Sequence, residues 1–313
     1  MNAATYSKAI LTGCLVAAMA VSTAGDAAAQ SGPSASRASD TDVRDVVRKT
    51  FKVNNGGTLE IEADRGTVDI RPTARGEVRI EVERVVSVER EEEAKAILQM
   101  HKLDMVQKGE SVMLTSRVEE RRFSWRDWKG DDKMRISIVV EAPEAFNVMI
   151  LTGAGNISVG DLVGELDVRS GAGNIEIGDI DGAVRVVSGS GTVRLGHVDG
   201  EADVHTGAGD IELASVAGAA TIGTGAGNVV ARILDQPVGA SEIVSGAGNV
   251  TVFLASDIGV NVDASALGNC TTDFPLRVEG RWMVKTLEGE LNGGGPALAI
   301  RSAVGNVVLK RAN

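Results

Sequence analysis

At 313 residues, 43% hydrophobic and 24% charged, the chain is long and apolar enough to bury a sizeable core, so disorder is not expected for its bulk. Its 43 acidic and 32 basic residues give a formal charge of -11, and aromatics make up only 3%. Together these argue against phosphate backbones and base-stacking platforms, and so against nucleic acid as a partner. Two cysteines and three histidines argue equally against disulfide frameworks and metal clusters.

The first element is an address. Lys8 precedes an apolar run from Ala9 to Val21, and small residues ending in Ala27-Ala28-Ala29 follow. This is the pattern of a secretory signal peptide over residues 1–29, cleaved between Ala29 and Gln30. The run is shorter than the ~20 residues of a membrane helix, so no span is expected after cleavage. Leu11-Thr12-Gly13-Cys14 looks like a lipobox, but little apolar sequence precedes it and the run continues past Cys14. Export to the periplasm or beyond is the expectation. Cleavage removes Cys14 and leaves Cys270 without an internal partner, as a small packed core residue. Residues 30–42, rich in Ser, Ala, Gly and Asp, are expected to form a flexible linker.

Residues 43–149 form a β-rich region with one helix. Leu59, Ile61 and Ala63 alternate with acids, as do Val78, Ile80 and Val82 with charges, which marks half-buried strands. Ala94, Ile97, Leu98 and His101 then recur at helical spacing, with Ser87 as the expected N-cap and His101 as a solvated helix-end residue. Between Arg121 and Lys133, Phe123, Trp125 and Trp128 sit among many charges. They suit either a loop folded over the nearest core end or a partner-binding loop.

Residues 150–313 repeat. Thr152-Gly-Ala-Gly-Asn156 returns at Ser170, Ser188, Thr206 and Thr224 in steps of 18 residues, then at Ser245 after 21. Degenerate copies stand at Ser265–Asn269 and Ser302–Asn306. Each unit holds two alternating strands and two turns, as in Ile175-Glu-Ile177 and Val184-Arg-Val186, with no room for a helix. Units running in one direction must pair in parallel. The expected fold is therefore mainly all-β, a parallel single-stranded β-solenoid or β-helix, right-handed by the crossover preference. The glycines are expected at tight corners, the intervening Ala or Ser at a narrow inward site, and the closing Asn, Asp or Thr stacked on its counterpart. Opposed charges in the outward columns Ser158, Glu176, Arg194, Glu212 and Asp167, Arg185, Asp203, Thr221 support that register.

Chemical alternatives fare poorly. Gly223-Thr-Gly-Ala-Gly-Asn228 lacks both the spacing and the following helix of a dinucleotide loop. Calcium-binding nonapeptides carry an Asp in every turn, whereas Asp161, Asp179, Asp181 and Asp199 occur irregularly here and suit solvated turns. A left-handed hexapeptide helix wants an apolar residue every six, and Arg169 and Asp181 break that series. His197 and His205 fall at turn or outward positions. Glycan-cleaving β-helices use acidic clusters, commonly with aromatic sugar platforms, and neither pattern is present. No residue is assigned a catalytic, cofactor-binding or metal-binding role, and no cofactor is expected.

The Ser/Thr-Gly-Ala-Gly-Asn repeats, Asp273-Phe-Pro-Leu276, Leu291-Asn-Gly-Gly-Gly-Pro296 and Ser302-Ala-Val-Gly-Asn306 resemble the bacterial DUF4097 family of adhesin-like proteins, from about Leu59 to Lys310. The resemblance implies an exported single-stranded β-helix with no established activity and no catalytic residues to carry over. The expectation is thus a non-catalytic envelope scaffold or adhesive surface whose partner is a protein or glycan of the cell envelope. A carbohydrate-active β-helix enzyme and a periplasmic signalling or stress-associated binding module are the alternatives. A sheet edge at the last coil, near Leu309, is one expected docking point.

Overall fold

The computed structural model of the chain describes residues 41–118, 133–281 and 284–312. The signal peptide, nearly all of the expected linker and the Phe123–Trp128 segment lie outside the described residues. No described helix is long and apolar enough to cross a membrane.

The alternating patterns fold as strands throughout. The first part holds β1 (Thr41–Lys52), β2 (Thr58–Arg65), β3 (Thr67–Thr73), β4 (Glu77–Val88), α1 (Glu91–Met100), β5 (His101–Lys108), β6 (Ser111–Val118) and β7 (Met134–Pro143). Helix α1 begins later than expected, because Ser87 is still paired within β4 and Arg90 caps without a side-chain bond. Glu91, Glu92 and Glu93 place negative charge on the first turn, where the helix dipole favours it. Ala94 is fully buried against β4, with Ile97 and Leu98 packed beside it.

The repeats follow as β8 (Asn147–Ala154), β9 (Ile157–Val159), β10 (Leu162–Val163), β11 (Leu166–Ser170), β12 (Ile175–Ile177), β13 (Ile180–Asp181), β14 (Val184–Ser190) and β15 (Val193–Val198). They continue as β16 (Ala202–Ala208), β17 (Ile211–Val216), β18 (Ala220–Ala226), β19 (Val229–Ile233), β20 (Ser241–Ala247) and β21 (Val250–Leu254). The last elements are β22 (Val260–Ala266), β23 (Cys270–Thr272), β24 (Arg277–Arg281), β25 (Val284–Leu291), β26 (Ala297–Val304) and β27 (Val307–Arg311).

Each repeat is one coil that gives a strand to each of two sheets. One sheet runs β1-β4-β7-β3-β9-β12-β15-β17-β19-β21-β27-β23, the other β24-β25-β22-β26-β20-β18-β16-β14-β11-β8-β2-β6-β5. Pairing between successive coils is parallel and keeps the 18-residue register, so Val186 faces Val168 on one side and Val204 on the other. The β-solenoid is therefore the fold. Its core lies between the sheets, where Ile157, Ile175, Val193, Ile211, Val229 and Val250 stack as one buried column of β-branched side chains. Each such side chain contributes about 1.5–3 kcal/mol by leaving water.

Both ends depart from sequence order. The β2–β3 coil sits between β6–β7 and β8–β9, and the β26–β27 coil sits between β20–β21 and β22–β23. Antiparallel strands close the ends: β4 and β1 beyond β7, β5 beyond β6, and β25 and β24 beyond β22. The expected free edge near Leu309 is thereby corrected. Strand β27 is paired on both sides, and Leu309 is fully buried. Chain order misleads here because the final coil fills a layer that the chain had skipped.

Candidate interaction surface

The repeat motif builds a corner in which each position has one task. The leading Ser or Thr points inward: Ser245 Oγ donates to the Gly227 carbonyl at 2.8 Å, Ser302 Oγ to that of Gly248 at 2.8 Å, and Thr224 Oγ1 to that of Gly209 at 2.9 Å. The glycines are required by the approach of the next coil. A Cβ on Gly207 would lie 2.6 Å from the Gly189 carbonyl oxygen, and one on Gly209 only 2.1 Å from that of Gly191. The residue between them corrects the expectation, since Ala154, Ser190, Ala208 and Ala226 are exposed rather than inward. The backbone bends there, and the alternation of the preceding strand does not continue through the bend.

The closing residue forms a ladder along the outside. Asn156 Oδ1 accepts the Asn174 N–H at 3.0 Å, and Asn174 Oδ1 accepts that of Thr192 at 3.0 Å. Asp210, Asn228, Asn249 and Asn306 continue the pattern at 2.7–3.0 Å, ending on Asn269. Thr192 has no side-chain carbonyl to offer, and among the described residues the Asp210 N–H donates to no such corner side chain. Asn174→Ala should therefore cost about 1 kcal/mol, while Thr192→Asn should add a few tenths to 1 kcal/mol, both read by urea unfolding.

A second ladder occupies the opposite turns. Asp161 Oδ1 accepts the Asp179 N–H at 2.9 Å and Asp179 Oδ1 accepts that of His197 at 2.7 Å. These residues line an open groove of about 770 Å³ with Asp181, Asp199 and Glu144. The aspartates of this column are engaged by backbone amides, and no group of three or more His, Cys, Asp or Glu arranged for a metal occurs among the described residues.

The histidines are held apart. His205 is exposed and pairs with Asp203 at 2.9 Å, as its outward position predicted. His197 is half-buried, in the other sheet, with Nδ1 2.5 Å from Ser215 Oγ. His101 corrects the expectation of a solvated helix end. It opens β5, is buried, and lies 2.9 Å from Ser116 Oγ through Nε2 and 3.3 Å from Arg84 Nη1 through Nδ1. Arginine only donates, so Nδ1 accepts and Nε2–H donates to Ser116. Arg84 in turn donates to Asp45 at 3.0 Å.

Burial first, and the Arg84 guanidinium second, push His101 down to about 4 from its ordinary 6.5. Because the unfolded chain takes the proton first, stability should be full above pH 6.5 and fall as pH drops from 6.5 through about 4. A melting series across that window should show the slope, and His101→Gln should flatten it. Cys270 is buried as expected, with Sγ 3.3 Å from the Lys285 carbonyl, and burial pushes its thiol up.

The outward columns carry paired charges: Arg185 with Asp203 and Arg194 with Glu212 at 3.7 Å, and Arg169 with Asp167 at 2.9 Å. One row differs. Arg232, Phe253 and Lys310 lie side by side on β19, β21 and β27, with the Arg232 guanidinium 5.1 Å and the Lys310 ammonium 6.0 Å from the Phe253 ring centre. No motif marked these residues, and only the register of the stack places them together.

The model of a known family matches residues 57–279, most of the described fold. The chain belongs to the Toastrack DUF4097 family. No curated protein matches the sequence. Among solved structures, a proposed adhesin from Bacteroides fragilis is 13% identical with a TM-score of 0.46, covering 86% of this chain and 97% of its own. A proposed lipid-binding protein from Parabacteroides distasonis is 11% identical with a TM-score of 0.41, over 86% and 97% of the two chains. A proposed cell adhesion protein from Clostridium sporogenes is 13% identical with a TM-score of 0.29, over 86% and 100%. At such identities and superpositions, these likenesses carry no argument about a ligand for this Toastrack chain.

Proposed function

We propose that this Toastrack protein is a non-catalytic binding scaffold of the bacterial cell envelope. Residues 1–29 act as a removed signal peptide, residues 30–42 as a tether, residues 43–149 as the β-rich N-terminal region and residues 150–313 as the repeat scaffold. The observation that carries the reading is how the polar side chains of the coils are employed. The corner Asn and Asp, the turn Asp161 and Asp179, and the inward Ser and Thr spend their hydrogen bonds on neighbouring backbone. That arrangement rigidifies a stack, whereas general acid–base chemistry needs titratable groups that converge on a reacting atom. What the stack offers outward is flat strand surface at fixed spacing, the property a binding scaffold uses.

Co-sedimentation of the full-length mature chain with isolated cell envelopes tests the reading. Saturable binding is the expected result, and a chain left entirely in the supernatant would overturn it. Intact-mass measurement on protein from the native host tests the export step, with a mature N-terminus at Gln30 expected. Retention of residues 1–29, or a diacylglyceryl mass on Cys14, would contradict it.

A further inference from the structure

The charges of the repeat strands are mostly matched by carboxylates: Arg169, Arg185, Arg194, Arg277 and Arg301 each pair with one. Arg232 and Lys310 do not, among the described residues. Each instead lies over the Phe253 ring. Beside them Arg311 lies 5.2 Å from the Phe274 ring, and Asp273, just past β23 and next to Lys310 in the register, accepts the Arg311 backbone N–H at 3.3 Å. The adjoining outward residues, Val230, Thr251 and Val308, are uncharged and half-buried. A protein of charge -11 thus carries, among the described residues, a cationic and partly apolar stretch from Arg232 to Lys310, with the exposed Asp273 next to Lys310 at its end.

The row has a direction. Arg232 and Lys310 are two strand spacings apart along the coil axis, about 10 Å, with an aromatic ring between them. A planar anionic membrane would face the whole acidic protein and be repelled, whereas a thread-like polyanion can lie against the stretch from Arg232 to Lys310 alone. Cations held against an aromatic pair with carboxylates spaced along a chain, and the half-buried Phe253 and Val308 supply apolar contact for the C–H faces of sugar rings.

We propose that the row Arg232–Phe253–Lys310 binds an acidic polysaccharide running along the coil axis, with its carboxylates on the two cations. This rests on the scaffold reading and gives it a ligand class. Affinity electrophoresis of the full chain in gels containing polygalacturonate tests it, with neutral dextran and phosphatidylglycerol vesicles as comparison probes. Polygalacturonate should retard the chain, and the retardation should weaken with added salt, while dextran and vesicles should have no effect. The double variant Arg232→Gln/Lys310→Gln should bind at least about tenfold more weakly, the scale expected for losing a charge-assisted contact. Arg277→Gln, which loses a cation already paired with Glu279, should bind as the parent does. Unchanged melting curves exclude a folding defect in either variant. Absence of retardation, equal retardation of the double variant, or vesicle binding that depends on the same two residues would overturn the proposal. If the double variant still sediments with envelopes as the parent does, this site falls while the scaffold reading stands. If the parent itself fails to sediment, the scaffold reading falls.

Discussion

Val186→Asp should destabilise the protein by more than about 4 kcal/mol, and Arg185→Ser, one residue away, by less than about 0.5 kcal/mol. Val186 is fully buried between Val168 and Val204 in the stacked column, so an aspartate there has apolar neighbours above and below. Its charge would be unpaired, and holding it neutral would cost much of the same energy through a raised pKa. Because each coil is supported by the next, the damage should spread to the flanking layers and lower cooperativity as well as midpoint. Arg185 points outward and loses only a surface pair with Asp203 at 3.7 Å. Urea unfolding monitored by circular dichroism separates the two, and equal midpoints would refute the register.

Gly209→Ala is the second large effect. Gly209 has a φ of +138°, and its added Cβ would sit 2.1 Å from the Gly191 carbonyl oxygen. Strain at that φ, together with displacement of a neighbouring coil that is itself packed, should cost at least about 3 kcal/mol. Ala208→Ser, at the exposed site beside it, should change stability by less than about 0.5 kcal/mol. The serine variant distinguishes the observed corner from one in which the alanine points inward, where the added hydroxyl would be buried and destabilising.

The stack was legible in the sequence because its units repeat. An 18-residue period places identical positions on successive coils, so the inward face of Val186, the outward pairing of Arg185 with Asp203 and the Asn ladder follow from one unit. What escaped it depends on contacts that the period does not encode. Ala208 shares the parity of inward Thr206, and only the bend between the glycines turns it outward. Ser265–Asn269 and Ser302–Asn306 carry the same degenerate motif, so nothing local says that the later one occupies the inner layer. The burial of His101 arises at the end of the stack, where antiparallel pairing of β5 with β6 brings Ser116 to the ring and β4 of the other sheet brings Arg84. The Arg232–Phe253–Lys310 row has the same cause, since 21 and 57 residues separate neighbours that the ladder sets side by side.

A scaffold that binds envelope glycan without altering it is separable from a glycan-cleaving β-helix by a single measurement. The full-length mature chain is incubated with purified acidic envelope polysaccharide, and the chain-length distribution of the glycan is then read by size-exclusion chromatography with an assay for new reducing ends. The account predicts glycan that elutes with the protein, keeps its original length and gains no reducing ends. Shortened glycan, with reducing ends accumulating in proportion to protein and time, would contradict it.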